Sequence, residues 1–156
     1  MVVRAKICGV TNSADAALAI RAGADALGFV FVRKSPRCVE PAVAAGVTVA
    51  MPPFVSRVGL FVDAPEEEVW RTIEVCGLDT VQFHGDEAPE YCGRFAGRVR
   101  VIKAFRIRDE GSLEALPRYP MAAWLLDSFV EGQAGGTGRR FNWELARRAN
   151  LLGRPI

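Results

Sequence analysis

The chemistry-bearing residues of this 156-residue chain come in short, separated clusters. The first is "KICGVT", residues 6–11, where Lys6, Cys8 and Gly9 close an apolar run. A thiol has a reference pKa of about 8.5, so little thiolate exists at neutral pH unless a cation or strand-end amides favour it. Lys6 is such a cation, two residues before the thiol. The second cluster is "SPR", which offers the planar fork of Arg37, a shape that matches a carboxylate bidentately. His84, the only histidine, ends "VQFH", and Asp127 ends "WLLD". The last is "GQAGGTG", containing Gly135, Gly136, Thr137 and Gly138. Its backbone N–H groups can fold over an anion, and a helix start follows it.

Something must hold these groups at strand ends. The chain alternates short apolar runs with helical patterns. "VRAKIC", "DALGFVF", "RVGLFV", "TVQFH", "VRVIKAF" and "AAWLLD" read as six strands. Between them "SADAALAIRAG", with Ser13 as N-cap and Gly23 as stop, reads as a helix. So do "EPAVAAGVTVAM", with Pro41 in its first turn, and "APEEEVWRTIEVCG", with an acidic first turn that suits the helix dipole. "DEAPEYCGRF" is a short helix, "GSLEALPRY" an irregular one, and "FNWELARRANL" the last. Strands buried on both faces read as continuous apolar runs, and helical crossovers force neighbours parallel. Six such units fit an open doubly wound sheet or a (β/α)8 barrel. No G-x-G-x-x-G or P-loop follows the first strand, which weakens the open sheet. Polar residues recur at strand ends (Cys8, Asp63, His84, Asp127), as at a barrel mouth. By alternation, Ile7, Phe83 and Leu126 face helices while Lys6, Cys8, Gln82, His84 and Asp127 face the other way.

Composition sets bounds. Half the residues are hydrophobic, 24% are charged, and the net charge is +2, so a soluble single domain over residues 1–156 is expected. Interspersed charge gives no nucleic-acid or membrane footprint, and "AVAAGVTVAMPPFV" is broken too early to span a bilayer. The N-terminus lacks a signal peptide pattern, so a cytoplasmic location is expected. The four cysteines, Cys8, Cys38, Cys76 and Cys92, lack C-x-x-C spacing, which predicts separate reduced thiols and no metal site.

"KICGVT", "GADALGFVF", "SPRCVEP", "VGLFVD", "VQFHGDE", "VIKAF", "LLDS" and "GGTGRRFNWELA" together resemble the phosphoribosylanthranilate isomerase family of tryptophan biosynthesis, in that family's order. The resemblance implies a (β/α)8 barrel that isomerises N-(5-phosphoribosyl)anthranilate by an Amadori rearrangement, with a small-molecule substrate and neither metal nor organic cofactor. It implies Cys8 as the general base at ribose C2 and Asp127 as the general acid at the ring oxygen. Arg37 would hold the anthranilate carboxylate, and Gly135, Gly136, Thr137 and Gly138 the loop enclosing the phosphate end. His84 is counted with the substrate-binding residues. Cys38 stands where the family usually has an aromatic. An acid with a raised pKa and a base with a favoured charged form fit ring opening followed by enolisation.

Blander readings stand beside these. Cys8 alone reads as a buried thiol, and its surroundings reverse that. Asp127 alone reads equally well as a turn cap. Lys6 reads as an ion-pair partner, His84 as a hydrogen-bonded packing residue, and Asp63 as a strand cap. Rival functions are another phosphate-binding barrel isomerase or an aldolase using Lys103, and an inactive barrel fragment acting as an assembly module. Relative to the family the chain is C-terminally incomplete: two further units would need about 50 more residues. Open edges at the first and sixth strands would favour self-association. The expectation is that these 156 residues alone are inactive or nearly so.

Overall fold

A computed structural model of the chain describes residues 3–128 and 142–156. Six strands form one sheet in the order β1-β2-β3-β4-β5-β6, the order of the sequence. The backbone divides into two compact units, Met1–Gln82 and Phe83–Ile156.

The first unit runs β1 (Lys6–Cys8), α1 (Ser13–Arg21), β2 (Ala26–Val30), α2 (Pro41–Thr48), β3 (Ser56–Phe61), α3 (Glu66–Cys76) and most of β4 (Thr80–Phe83). β1 pairs with β2 and β2 with β3, both parallel. β1 is shorter than the apolar run implied. Arg4 pairs with Asp25 at 2.7 Å, and the Ala5 amide donates to the same carboxylate at 2.8 Å instead of to a backbone carbonyl, although the Ala5 carbonyl still accepts from the Asp25 amide at 2.9 Å. The cap of α1 is Asn12 rather than Ser13. Its side-chain oxygen accepts from the Asp15 amide at 2.9 Å, and Ser13 is already helical. Gly23 follows the helix as expected. α2 stops at Thr48, because Pro52 and Pro53 lie just beyond and cannot continue it. The core rests on Leu27, Phe29, Val58, Phe61 and Val69, all essentially inaccessible. Phe31 stacks on Phe61 at 5.3 Å between ring centres.

The second unit holds α4 (Pro89–Gly93), β5 (Arg100–Ile107), a 3₁₀ segment (Gly111–Arg118), β6 (Ala123–Ser128) and α5 (Trp143–Asn150). β5 and β6 are parallel, with Lys103 opposite Trp124 and Arg106 opposite Asp127. Ile107, Leu113, Leu116, Trp124, Leu145 and Ala149 form its core, with Phe105 and Leu126 against it. That cluster fixes the faces. Lys103, Phe105, Ile107, Trp124 and Leu126 are on the helix side, and Ala104, Arg106, Leu125 and Asp127 are on the other. Phe83 likewise meets Tyr91 and Phe95 of the α4 region at 5.3 and 5.1 Å. So the alternation read from the sequence holds for Phe83 and Leu126. Ile7 also lies across the strand from Lys6 and Cys8, on the α1 side, where it lines a groove with Leu18 and Ala19 and is 47% exposed. At the other end of the chain, the Trp124 amide donates to the Pro155 carbonyl at 2.9 Å. This lays the residues after α5 along β6.

Candidate active site

In the first unit, Cys8 is the last residue of β1 and sits in register with Gly28 of β2. A Cβ at Gly28 would come within 3.2 Å of both the Cys8 Sγ and the Lys6 Nζ. Thiol and ammonium therefore share the space above one residue without a side chain. The backbone then leaves the strand through Gly9, whose φ of +88° lies in the region that favours glycine. The amides of Gly9 and Val10 both donate to the Gly28 carbonyl, at 2.8 and 3.0 Å. Arg37 lies over this exit. Its Nη1 donates to the Cys8 carbonyl at 3.1 Å, and a Cβ at Gly9 would strike its Cδ at 2.5 Å. The sharp stop of "KICG" thus has two physical causes: the φ at residue 9, and the close approach of an arginine 29 positions along the chain. Lys6, Cys8 and Arg37 are brought together at this strand end.

The second unit builds another cluster. Asp127 accepts from the Ser128 amide at 2.8 Å through Oδ1. Its Oδ2 stands 3.4 Å from the Nε2 of His84, with the two side chains 19% and 16% exposed. Burial pushes the His84 pKa below its ordinary value. The Asp127 carboxylate opposes that shift, while Lys103 and Arg106 reinforce it. His84 is therefore a polar partner of the candidate acid rather than a packing residue alone.

Lys103, the candidate Schiff-base lysine of the aldolase alternative, is 3% exposed and on the helix side. Its Nζ donates to the carbonyls of Gly85 at 2.7 Å and Ala104 at 3.1 Å, and lies 3.1 Å from Glu87 Oε2. An ammonium has three donors, and here each has an acceptor. A nucleophilic amine needs to be neutral and within reach of a ligand, so the aldolase alternative loses its lysine. Glu87 was not singled out from the sequence. The signal was a lysine inside the apolar run "VIKAF", since a buried ammonium demands a carboxylate partner.

Asp63, two residues past β3, has φ +48°, a turn conformation that aspartate tolerates. Gly135, Gly136, Thr137 and Gly138 lie outside the described residues. Among the described residues no group of three or more His, Cys, Asp or Glu side chains is placed to hold a metal ion. No described helix is long and apolar enough to cross a membrane.

The four thiols are unpaired and fall into two classes. Cys8 and Cys38 are half-buried, and Cys38 lines a groove of about 390 Å³ with Phe31, Val39 and Thr72. Cys76 and Cys92 are 1% and 0% exposed, and burial pushes each pKa up to about 11. Ellman's reagent at pH 8 should titrate two thiols rapidly and the other two only in denaturant. Rapid reaction of all four would contradict this placement.

The comparisons with known proteins agree with one another. A family model described as N-(5'phosphoribosyl)anthranilate (PRA) isomerase matches residues 5–151. The N-(5'-phosphoribosyl)anthranilate isomerase of Geobacter sp. (strain M21) is 54% identical over 153 residues, covering 98% of this chain and 74% of that protein. Its counterpart in Moorella thermoacetica is 46% identical, covering 99% of this chain and 68% of that protein. The crystal structure of the Thermotoga maritima isomerase superposes with a TM-score of 0.91 at 39% identity, covering 98% of this chain and 74% of that one. The Thermus thermophilus structure gives 0.87 at 39% identity, covering 97% and 74%. The chain belongs to the N-(5'-phosphoribosyl)anthranilate isomerase family.

Proposed function

We propose that this chain isomerises N-(5-phosphoribosyl)anthranilate to 1-(2-carboxyphenylamino)-1-deoxyribulose 5-phosphate. The family match across residues 5–151 carries this reading. A further solved relative, 43% identical with a TM-score of 0.79, was crystallised with reduced 1-(o-carboxyphenylamino)-1-deoxyribulose 5-phosphate. It covers 82% of this chain and 66% of its own.

In the mechanism this implies, Asp127 gives its proton to the ribose ring oxygen, the C1–O bond breaks, and the glycosylamine becomes an open-chain iminium. Cys8, as thiolate, then takes the proton from C2. The electrons of that C–H bond form the enolamine, which tautomerises to the ketone. Each step moves one proton, so neither metal nor organic cofactor enters. Arg37 takes the anthranilate carboxylate, His84 touches the substrate beside Asp127, and Gly135–Gly138 enclose the phosphate. Each acid–base residue stands at the C-terminal end of its strand, where (β/α)8 enzymes keep their chemistry. The six units are, in this reading, those of such a barrel in a cytoplasmic enzyme of tryptophan biosynthesis.

The test is loss of phosphoribosylanthranilate fluorescence on adding the 156-residue chain. An expectation of inactivity for these residues finds no support in the comparisons, and the same assay measures it. Decay no faster than in buffer would remove the activity from this chain. Arg37→Ala should raise KM by about 10-fold or more with kcat little changed, because a charge-assisted bidentate bond contributes about 1.5–3 kcal/mol. An unchanged KM would reject the carboxylate clamp.

A further inference from the structure

The turn that leaves β4 is gripped from behind. Lys103 Nζ donates to the Gly85 carbonyl at 2.7 Å, and the Gly85 amide donates to the Glu87 carboxylate at 3.0 and 3.2 Å. Lysine and glutamate themselves pair at 3.1 Å, with side chains 4% and 2% exposed. Both backbone groups of one residue are thus pinned by the two members of one buried ion pair. The Tyr119 hydroxyl donates to the Glu87 carbonyl at 3.0 Å. The rings of Phe105 and Tyr119 lie 5.6 and 6.0 Å from the ammonium. All of this is on the helix side. His84 immediately precedes Gly85 and points the opposite way from Phe83, to where Asp127 meets it at 3.4 Å.

A buried ion pair is a poor way to gain stability, because desolvation offsets its attraction and an apolar pair of similar volume often does as well. Its directionality is what an apolar pair lacks. We propose that the Lys103–Glu87 pair is a positioning device that holds His84 against Asp127 by fixing the backbone of Gly85. Its catalytic consequence rests on Asp127 being the proton donor, whereas the positioning itself does not.

The single histidine makes the test direct. Charged groups acting on the imidazole are Asp127 from β6, which meets it directly, and Lys103 and Arg106 from β5. The His84 Cε1–H resonance is titrated by NMR in the whole chain, in Asp127→Asn, in Glu87→Gln, and in the Glu87→Gln/Asp127→Asn double variant. Asp127→Asn alone should lower the midpoint, since the carboxylate that favours the imidazolium is gone. In the Glu87→Gln background the same substitution should shift it by less than half as much. The comparison of shifts cancels the charge lost at residue 87 itself. Should Glu87→Gln fail to fold, Lys103→Met/Glu87→Leu leaves no unpaired charge, removes both holds on Gly85, and enters the same cycle.

A diminished Asp127→Asn shift in either background supports the positioning role. An equal shift with and without the ion pair overturns it, as does the absence of any shift in the unaltered chain. Turnover appears nowhere in this measurement. Failure of the isomerase assignment and failure of the positioning role are therefore told apart.

Discussion

Asp127→Asn and Cys8→Ala are each expected to lower kcat for phosphoribosylanthranilate by about 10²-fold or more, the usual loss when a general acid or base is removed. The asparagine of the first variant would keep the shape of the carboxyl group and its bond from the Ser128 amide, but it has no acidic proton to give. The ring oxygen would then have to leave as an alkoxide. The alanine of the second would remove the one thiol at the end of β1, leaving Lys6 and Arg37 in place. Both are cations, and neither can accept the C2 proton. The stopped-flow fluorescence decay gives kcat and KM separately. Loss in kcat with KM little changed marks a group that acts in the transition state. Near-normal turnover in either variant would strip that residue of its role.

Lys103→Met should destabilise the fold by about 3–5 kcal/mol, because it leaves the Glu87 carboxylate buried without its cation. Glu87 is 6% exposed, so water cannot replace the ammonium. The flanking rings of Phe105 and Tyr119 also lose a cation, which adds about 0.5–2 kcal/mol. Lys103→Met/Glu87→Leu should regain most of the loss. Urea melts measure both, and the comparison is valid only where the m-value is unchanged. A single variant as stable as the unaltered chain would show that Glu87 takes up its proton at little cost, or turns to solvent.

Much of the architecture was legible because the elements carry strong local signals. β2, Ala-Leu-Gly-Phe-Val, is an unbroken apolar run. α3 has three glutamates in its first turn and Gly77 beyond its last. The boundary errors come from partners distant in sequence. The Asp25 carboxylate claims Arg4 and the Ala5 amide, and no pattern within "VVRAK" announces that. The candidate site was half legible. Cys8 and Asp127 stand out as polar residues ending apolar runs. Two things were not readable: that Arg37 lies across Gly9, and that Glu87 supports the β4 exit from the helix side. Both depend on residues that only the folded chain brings together. His84 was undervalued for the same reason, since its importance lies in a neighbour at the end of β6, far along the chain.

The vacant side chain at position 28 gives this family member a single point of vulnerability. A methyl group there would lie 3.2 Å from both the sulfur and the ammonium, so a single substitution presses on the two together and each must give way by a few tenths of an ångström. Gly28→Ala should thus behave as a lesion in two functional groups at once, while leaving every atom of both intact.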